Sequence, residues 1–221
     1  VTAFDVSYGF SWYGTASAVL TRSRPASALR AIWEKQRAER PRGARFIRYT
    51  DNHDLSNDML RPDVLFGEQG ARAMSVINFT IDGIPFVYNG QEIGDTSLHS
   101  IYARWPVRWE AACLPKPKAT LEFYRKLCQL RRSEPALCAG EVVWLDHDQP
   151  DAVVAFLRRS GTEEILSVVN LSNRAIKARL ALPAGEVSAY RPLLSSGAKA
   201  GAAEGKLAVD LQGFGYLVGR K

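Results

Sequence analysis

The chain has 221 residues, 46% of them apolar and 24% charged, a composition that fits a packed globular protein and excludes a disordered or collagen-like one. Its formal charge of +6 is concentrated between Arg22 and Arg48, where nine Lys or Arg residues stand against Glu34 and Glu39 and leave the remainder near −1. That stretch lacks a nucleic-acid-reading motif and reads as a solvated helix face and loop, and no run of about 18 apolar residues offers a membrane span, so neither nucleic acid nor membrane is an expected partner.

Ala3 to Tyr8 is a short β-leaning run. Ser27 to Glu39 carries Leu29, Ile32 and Trp33 on one face, with a serine placed to cap its start, and predicts an amphipathic helix that Pro41-Arg-Gly43 breaks. Arg45 to Thr50 predicts a strand, ended by the polar cluster Asp51-Asn52-His53-Asp54. Gly67 to Ile81 has Ala71, Met74, Ile77 and Asn78 at helical spacing, and Asp82-Gly83 stops it. Ile84 to Tyr88 predicts a buried strand closed by Asn89-Gly90, and Ala119 to Arg132 a helix. Alternating strands and helices imply parallel β/α units, whose active face in a (β/α)8 barrel lies at the strand C-termini.

Beyond Glu134-Pro135 the period changes. Val142–Leu145, Val153–Arg158, Glu164–Leu171, Ala175–Leu182, Val187–Pro192 and Phe214–Val218 are short β-type runs punctuated by Gly, Pro, Asn and Asp, which predict an antiparallel β-sandwich. Gly197 to Gly205 reads as a loose hairpin turn. Two domains are expected, 1–134 and 135–221. Cys113, Cys128 and Cys138 are too few and too irregular for a disulfide scaffold or a zinc site and are expected as small buried residues. Val1-Thr-Ala-Phe has neither initiator Met nor signal peptide, so the chain is expected to be a piece of a longer one, whose location stays open.

Two blocks carry chemistry. Asp51-Asn52-His53-Asp54 follows a strand, and such a group of acceptors with an imidazole suits hydroxyl recognition, although a polar loop with a helix cap would use the same residues. Gly83-Ile-Pro-Phe-Val-Tyr88-Asn-Gly-Gln-Glu92-Ile-Gly94 is a turn, a strand and a glycine-rich loop; by itself it is equally compatible with core aromatics and a structural acceptor.

Together the blocks resemble the α-amylase family of glycoside hydrolases and transglycosylases (glycoside hydrolase family 13 type). Asn52-His53-Asp54 stands where that family has Asn-His-Asp after a strand, and Gly83, Pro85, Tyr88, Gly90, Glu92 and Gly94 fit G-x-P-x-x-Y-x-G-x-E-x-G. Arg104, Pro106 and Trp109 fit R-x-P-x-x-W, Leu127 to Leu137 resembles the last barrel helix, and Val169-Asn-Leu-Ser172 a strand of the family's C-terminal domain. The resemblance implies the last three β/α units of a TIM barrel followed by a β-sandwich, acting on α-glucan or α-glucoside. It implies that Asp54 stabilises the transition state, that His53 and Tyr88 bind sugar, and that Asn52 binds sugar or orients the loop. Glu92 is implied to be structural.

The retaining mechanism needs two further carboxylates about 5–5.5 Å apart. The nucleophile's G-x-R-x-D occurs nowhere in the chain, and the acid/base block would lie before Val1. The resemblance therefore implies an enzyme fragment, inactive alone, partnered by the N-terminal half of the barrel. No cofactor is implied, and any calcium ligands of the parent lie outside this chain. The competing readings are a non-catalytic carbohydrate-binding or regulatory relative, and a carbohydrate-binding β-domain with a barrel remnant. The latter lacks a row of exposed tryptophans, since Trp144 stands alone and is expected in the core.

Overall fold

In a computed structural model of the chain, every residue is described except 1–4, 42, 59, 184–189 and 204–205, together with the side chain of residue 58. The first part alternates short strands with helices. β1 (Val6–Tyr8) is followed by α1 (Phe10–Leu20) and α2 (Ala28–Glu39), and β2 (Arg45–Arg48) by α3 (His53–Asp58), α4 (Pro62–Leu65) and α5 (Gly67–Thr80). β3 (Ile84–Pro85) leads through a long loop to α6 (Pro115–Ser133) and α7 (Pro135–Ala139). The strands lie in the order β1-β2-β3, all parallel, with Tyr8 opposite Ile47 and Ile47 opposite Ile84. The Phe86 amide still donates to Arg48 O at 2.9 Å, after which the chain leaves the sheet earlier than the expected strand to Tyr88. The expected first strand lies outside the described residues at positions 3 and 4.

The buried residues of α1, Trp12, Thr15, Ala16, Val19 and Leu20, share one face at helical spacing, but the opposite face carries Phe10, Tyr13 and Ala18 and no charge, so the sequence shows little amphipathic contrast. Its entry depends on Gly9, where a Cβ would lie 2.7 Å from Ile47 O. α6 begins at Pro115, ahead of the expected Ala119, with a proline in the first helical turn, where the missing N–H has no partner to lose.

The second part holds β4 (Glu141–Trp144), β5 (Asp146–His147), β6 (Val153–Ser160), β7 (Glu163–Asn170), β8 (Ile176–Ala181), β9 (Arg191–Ala203) and β10 (Lys206–Arg220). Their order is β4-β6-β7-β10-β8-β5, with β9 on β10, and all pairs are antiparallel. The expected layers are joined by hydrogen bonds into one sheet. β10 pairs with β8 through Leu207–Leu211 and with β7 through Tyr216–Arg220. β4 pairs with β6, and the same stretch continues past Leu145 as β5 to reach β8 at the other end of the order. Closure encloses Leu157, Leu166, Val168, Ala178, Leu180 and Val209, while β9, paired with β10 on one side among the described residues, lies on its outside. The expected hairpin turn from Gly197 is strand up to Ala203, because its small residues pair with β10 from Lys206 to Leu211; its last residues, 204 and 205, lie outside the described ones. Of the expected run Val187–Pro192, residues up to 189 are likewise undescribed.

One core joins the two parts. Met74, Val76, Ile77 and Phe79 of α5 meet Trp12 and Val19 of α1, Leu29 and Trp33 of α2, Phe123 and Leu127 of α6, and Val154, Phe156, Ile165 and Val218 on the outer face of the sheet. Trp144 packs against this cluster, in edge contact with Trp33 at 5.9 Å.

The turn between α5 and β3 is held by charge. Asp82 accepts from Trp33 Nε1 at 2.7 Å, Arg40 Nη1 at 3.1 Å and Arg48 Nη2 at 3.3 Å. Arg131 from α6 donates to Phe79 O, Ile81 O and Gly83 O at 3.0, 2.7 and 2.7 Å, and Arg158 from β6 to Thr80 O at 2.7 Å and to Gly140 O. These guanidiniums satisfy the carbonyls that a helix C-terminus leaves without partners and oppose its negative dipole end. Gly83 itself is obligatory: its φ is +99°, and a Cβ would meet Phe46 O at 2.5 Å. Burial pushes the Asp82 carboxyl up, but Arg48, the Trp33 indole and Arg40 outweigh it and hold it below its ordinary value.

Two sequence expectations are thereby corrected. The basic stretch is only partly a solvated face, since Arg48 is 1% exposed, bonded to Gln36 and Asp82 and lying 4.4 Å from the Trp12 ring centre. The three cysteines are exposed rather than buried, because each lies outside the apolar stripe of its segment.

Asp82→Ala strands buried Arg48 and should lower the unfolding free energy by about 3–5 kcal/mol. Glu34→Ala removes only the exposed Arg30–Glu34 pair, and chemical denaturation should show a loss below about 1 kcal/mol. Equal effects of the two substitutions would contradict the role given to the turn.

Candidate active site at the strand ends

The segment after β2 enters α3 through a side-chain cap. Asn52 Oδ1 accepts the Leu55 amide at 2.9 Å, which satisfies a backbone donor that the first helical turn leaves open. Asn52 is 0% exposed, so its place in the structure is that of a loop-orienting cap, and sugar contact would require it to be uncovered. The cap turns the next two side chains outward: His53 and Asp54 are about half exposed, 48% and 52%, with His53 Nε2 3.3 Å from Asp54 Oδ1. The carboxylate thus stands at the C-terminal end of the central strand of the parallel sheet.

Beneath them is an aromatic floor built from all three strand ends. Tyr8 ends β1, Tyr49 follows β2 and Phe86 follows β3. The Tyr8 ring lies 5.6 Å from Tyr49, 6.3 Å from His53 and 6.4 Å from Phe86, and Tyr13 of α1 stacks on Tyr49 at 5.5 Å. Phe10 extends the floor and is 59% exposed. Burial first, then the Tyr13 and Tyr8 phenols and the Asp54 carboxylate, push the Tyr49 hydroxyl above its ordinary value, and this hydroxyl has no hydrogen-bond partner among the described residues.

Asp51 turns the other way. It and Arg61 are each 1% exposed, with Oδ2 2.9 Å from Nε. Arg61 Nη2 also donates to Asn89 O at 3.1 Å, and its guanidinium lies 5.5 Å from the centre of the Tyr88 ring. Arg61 therefore ties the loop after β2 to the loop after β3 and sets Tyr88, which is half-buried, against it. Burial pushes the Asp51 carboxyl up to about 6 despite Arg61. Burial prevails because the two groups are close without an aligned hydrogen bond from Nε.

A neutral network supports the same loops. Gln91 Nε2 donates to Thr50 Oγ1 at 2.7 Å and to Tyr124 Oη at 2.9 Å, Tyr124 meets Ser75 Oγ at 3.1 Å, and Gln91 Oε1 accepts the Tyr88 amide at 3.1 Å. Glu92 faces elsewhere. With Val87, Leu121, Tyr124 and Cys128 it lines a cavity of about 750 Å³ against α6.

The structure brings His53 and Asp54 together on the aromatic floor, places Tyr88 behind Arg61, and withdraws Asn52 and Glu92 from that face. Sequence reading missed Arg61 and Gln91, whose partners lie on other elements. It also missed the aromatic floor, although the period-2 position of Tyr49 in its strand was visible. Among the described residues no group of three or more His, Cys, Asp or Glu side chains could hold a metal ion, and no helix is long and apolar enough to cross a membrane.

In sequence, the chain is 31% identical over 137 residues to Alpha-amylase 2 of Dictyoglomus thermophilum, an alignment covering 58% of this chain and 23% of that protein. It is 28% identical over 139 residues to a cyclomaltodextrinase of a Bacillus species, covering 62% and 24%, and 28% identical over 187 residues to alpha-amylase MalA of Haloarcula japonica, covering 82% and 26%. In structure it matches the maltogenic alpha-amylase AmyB of Thermotoga neapolitana with a TM-score of 0.79 at 20% identity, covering 99% of this chain and 51% of that one. AmyP in complex with maltose matches with a TM-score of 0.77 at 16% identity, covering 98% and 50%. The chain thus spans about a quarter of the length of these curated relatives and about half of these solved chains. No protein-family model matches it.

The raised Asp51 carboxyl sets a pH signature. Its folded value of about 6 exceeds the ordinary 3.8, so the folded state holds the extra proton between these limits. Stability from this group is present near pH 4 and is lost as pH rises through 6, by on the order of 3 kcal/mol. Urea unfolding of Asp51→Asn, which lacks this titration, should converge on or pass the parent as pH rises from 4 to 7; parallel profiles would refute the assignment.

Proposed function

We propose that this chain, a homologue of the α-amylases and cyclomaltodextrinases, supplies the last three β/α units of a catalytic (β/α)8 barrel and an appended β-domain to a retaining enzyme acting on α-glucosidic bonds. In this reading residues 1–134 are the barrel portion and 135–221 the β-domain. The observation that carries it is Asp54: a half-exposed carboxylate, paired with His53, at the C-terminal end of the central parallel strand and above an aromatic floor. Conserving such a face for catalysis is what barrel enzymes do with their strand ends. β1 and β3 each pair on one side only among the described residues, which gives the remaining strands a place to join.

The roles follow from the chemistry. Cleavage passes through an oxocarbenium-like state, and a fixed carboxylate beside the ring hydroxyls stabilises the charge that develops there. Asp54 does this, and His53 holds the same hydroxyls. The rings of Tyr8 and Phe86 give the apolar faces of a pyranose a surface to rest on. Tyr88, steadied by Arg61, borders the site, and Asn52 keeps Asp54 aimed by capping α3. Asp51 is committed to Arg61, and Glu92 opens on another cavity, so nucleophile and acid/base come from residues beyond these 221. The substrate is an α-glucan or α-glucoside.

Asp54→Asn in the longer protein that carries this chain should lower turnover on an α-1,4-glucan by at least about 10²–10³-fold. Its melting temperature should hold, because Asp54 is half exposed and its one ion-pair partner among the described residues is His53. Unchanged turnover removes Asp54 from the mechanism. Maltooligosaccharide binding with no turnover in the unsubstituted protein would favour a non-catalytic relative.

A further inference from the structure

At the other end of the parallel strands, where Arg45 opens β2 and the Asp82-Gly83 turn precedes β3, lies a cavity of about 310 Å³. Arg37, Arg40, Arg45 and Arg158 line it, with Asp82 and Glu141 as its acidic groups. Arg48 and Arg131 reach the same turn from behind, bonded to Asp82 and Gly83. Asp82 answers Arg40 and Arg48, whereas Arg131 and Arg158 are held by carbonyl oxygens, which satisfy hydrogen bonds without cancelling charge. The surplus is shielded from water, since Arg158 is 1% exposed and Arg131 is partly buried. Unneutralised charge in such a place is costly. Burial first and then Arg131 draw the Arg158 guanidinium down to about 10.

The mouth has donors to spare. Arg37 and Arg45 are exposed, and neither guanidinium has a hydrogen-bond acceptor among the described residues; Arg37 lies 5.3 Å from the centre of the Trp33 ring. Guanidinium forks match phosphate oxygens, and converging ones favour a dianion over a single carboxylate.

We propose that this cavity is a binding site for a phosphate group, free or as a monoester, gripped by Arg37, Arg45 and the outer edge of Arg40. Its volume exceeds what orthophosphate needs and leaves room for a hexose-sized ester. The site is on the face away from Asp54 and does not depend on the glucan reading.

Isothermal titration of the longer protein that carries this chain with inorganic phosphate, glucose 6-phosphate and glucose tests it. The expected result is saturable binding of the two phosphates that substitutions at Arg37 and Arg45 weaken, whereas any binding of glucose at the Asp54 face is indifferent to them, with the tighter phosphate identifying the source. Arg37→Ala combined with Arg45→Ala should weaken binding by about tenfold or more. Arg45→Lys should retain part of it and Arg45→Glu should abolish it, all with unchanged melting temperature in the absence of phosphate. Absence of saturable binding, or binding that the double substitution and Arg45→Glu leave unaltered, overturns the proposal.

Discussion

The fold turns on the Asp82–Gly83 corner. A helix that ends inside a protein leaves carbonyl oxygens without partners, and here Arg131 and Arg158 supply them from two other elements. Arg158 belongs to the antiparallel sheet and Arg131 to the last long helix, so capping α5 also fastens the two parts of the chain together. Arg48, at the end of β2, reaches the same corner beneath Trp12. The end of β2 is thereby tied to the corner from which β3 starts, which fixes the register of the two strands and with it the relative height of the groups beyond them.

At those other ends the chemistry changes from charge to aromatic rings and exposed polar groups. Tyr49 and Phe86 directly follow the paired residues Arg48 and Pro85, and Tyr8, opposite Ile47 one pleat below, reaches both rings edge-on. The capped α3 then lifts His53 and Asp54 above that floor, while Arg61 and the Gln91 network keep the neighbouring loop at a fixed distance. Division of labour between a charged, buried base and an open face follows from the geometry of parallel strands, whose loops at one end are free to carry function.

The likeness to solved amylases at 16–20% identity is a likeness of fold, and it holds over nearly the whole chain. The closed antiparallel sheet adds to it a mechanical element. Because its outer face completes the core around α5, it covers helices that would otherwise expose Phe79, Phe123 and Leu127. The antiparallel sheet is therefore part of the packing of the β/α portion rather than a tethered module.

What the sequence determined by itself was whatever depends on neighbours along the chain. Alternation and period placed β2, α2, α5 and most of the antiparallel strands, and the run from Asp51 to Asp54 stood out because four polar residues directly after a strand have to face water or partners. The tertiary structure alone decided which of those four do which. Asp51 went inward because Arg61 waits there, Asn52 became a cap because the Leu55 amide is within its reach, and His53 and Asp54 were left outside. It also decided that the small-residue stretch from Gly197 is strand, since its partner is β10, and that Arg48 is buried, since its partner is Asp82. A side chain's fate follows from groups brought near it by folding, and for Asp51, Arg48 and the stretch from Gly197 those groups lie on other segments, where local pattern carries no signal, whereas the cap by Asn52 is local and was one of the readings the sequence left open.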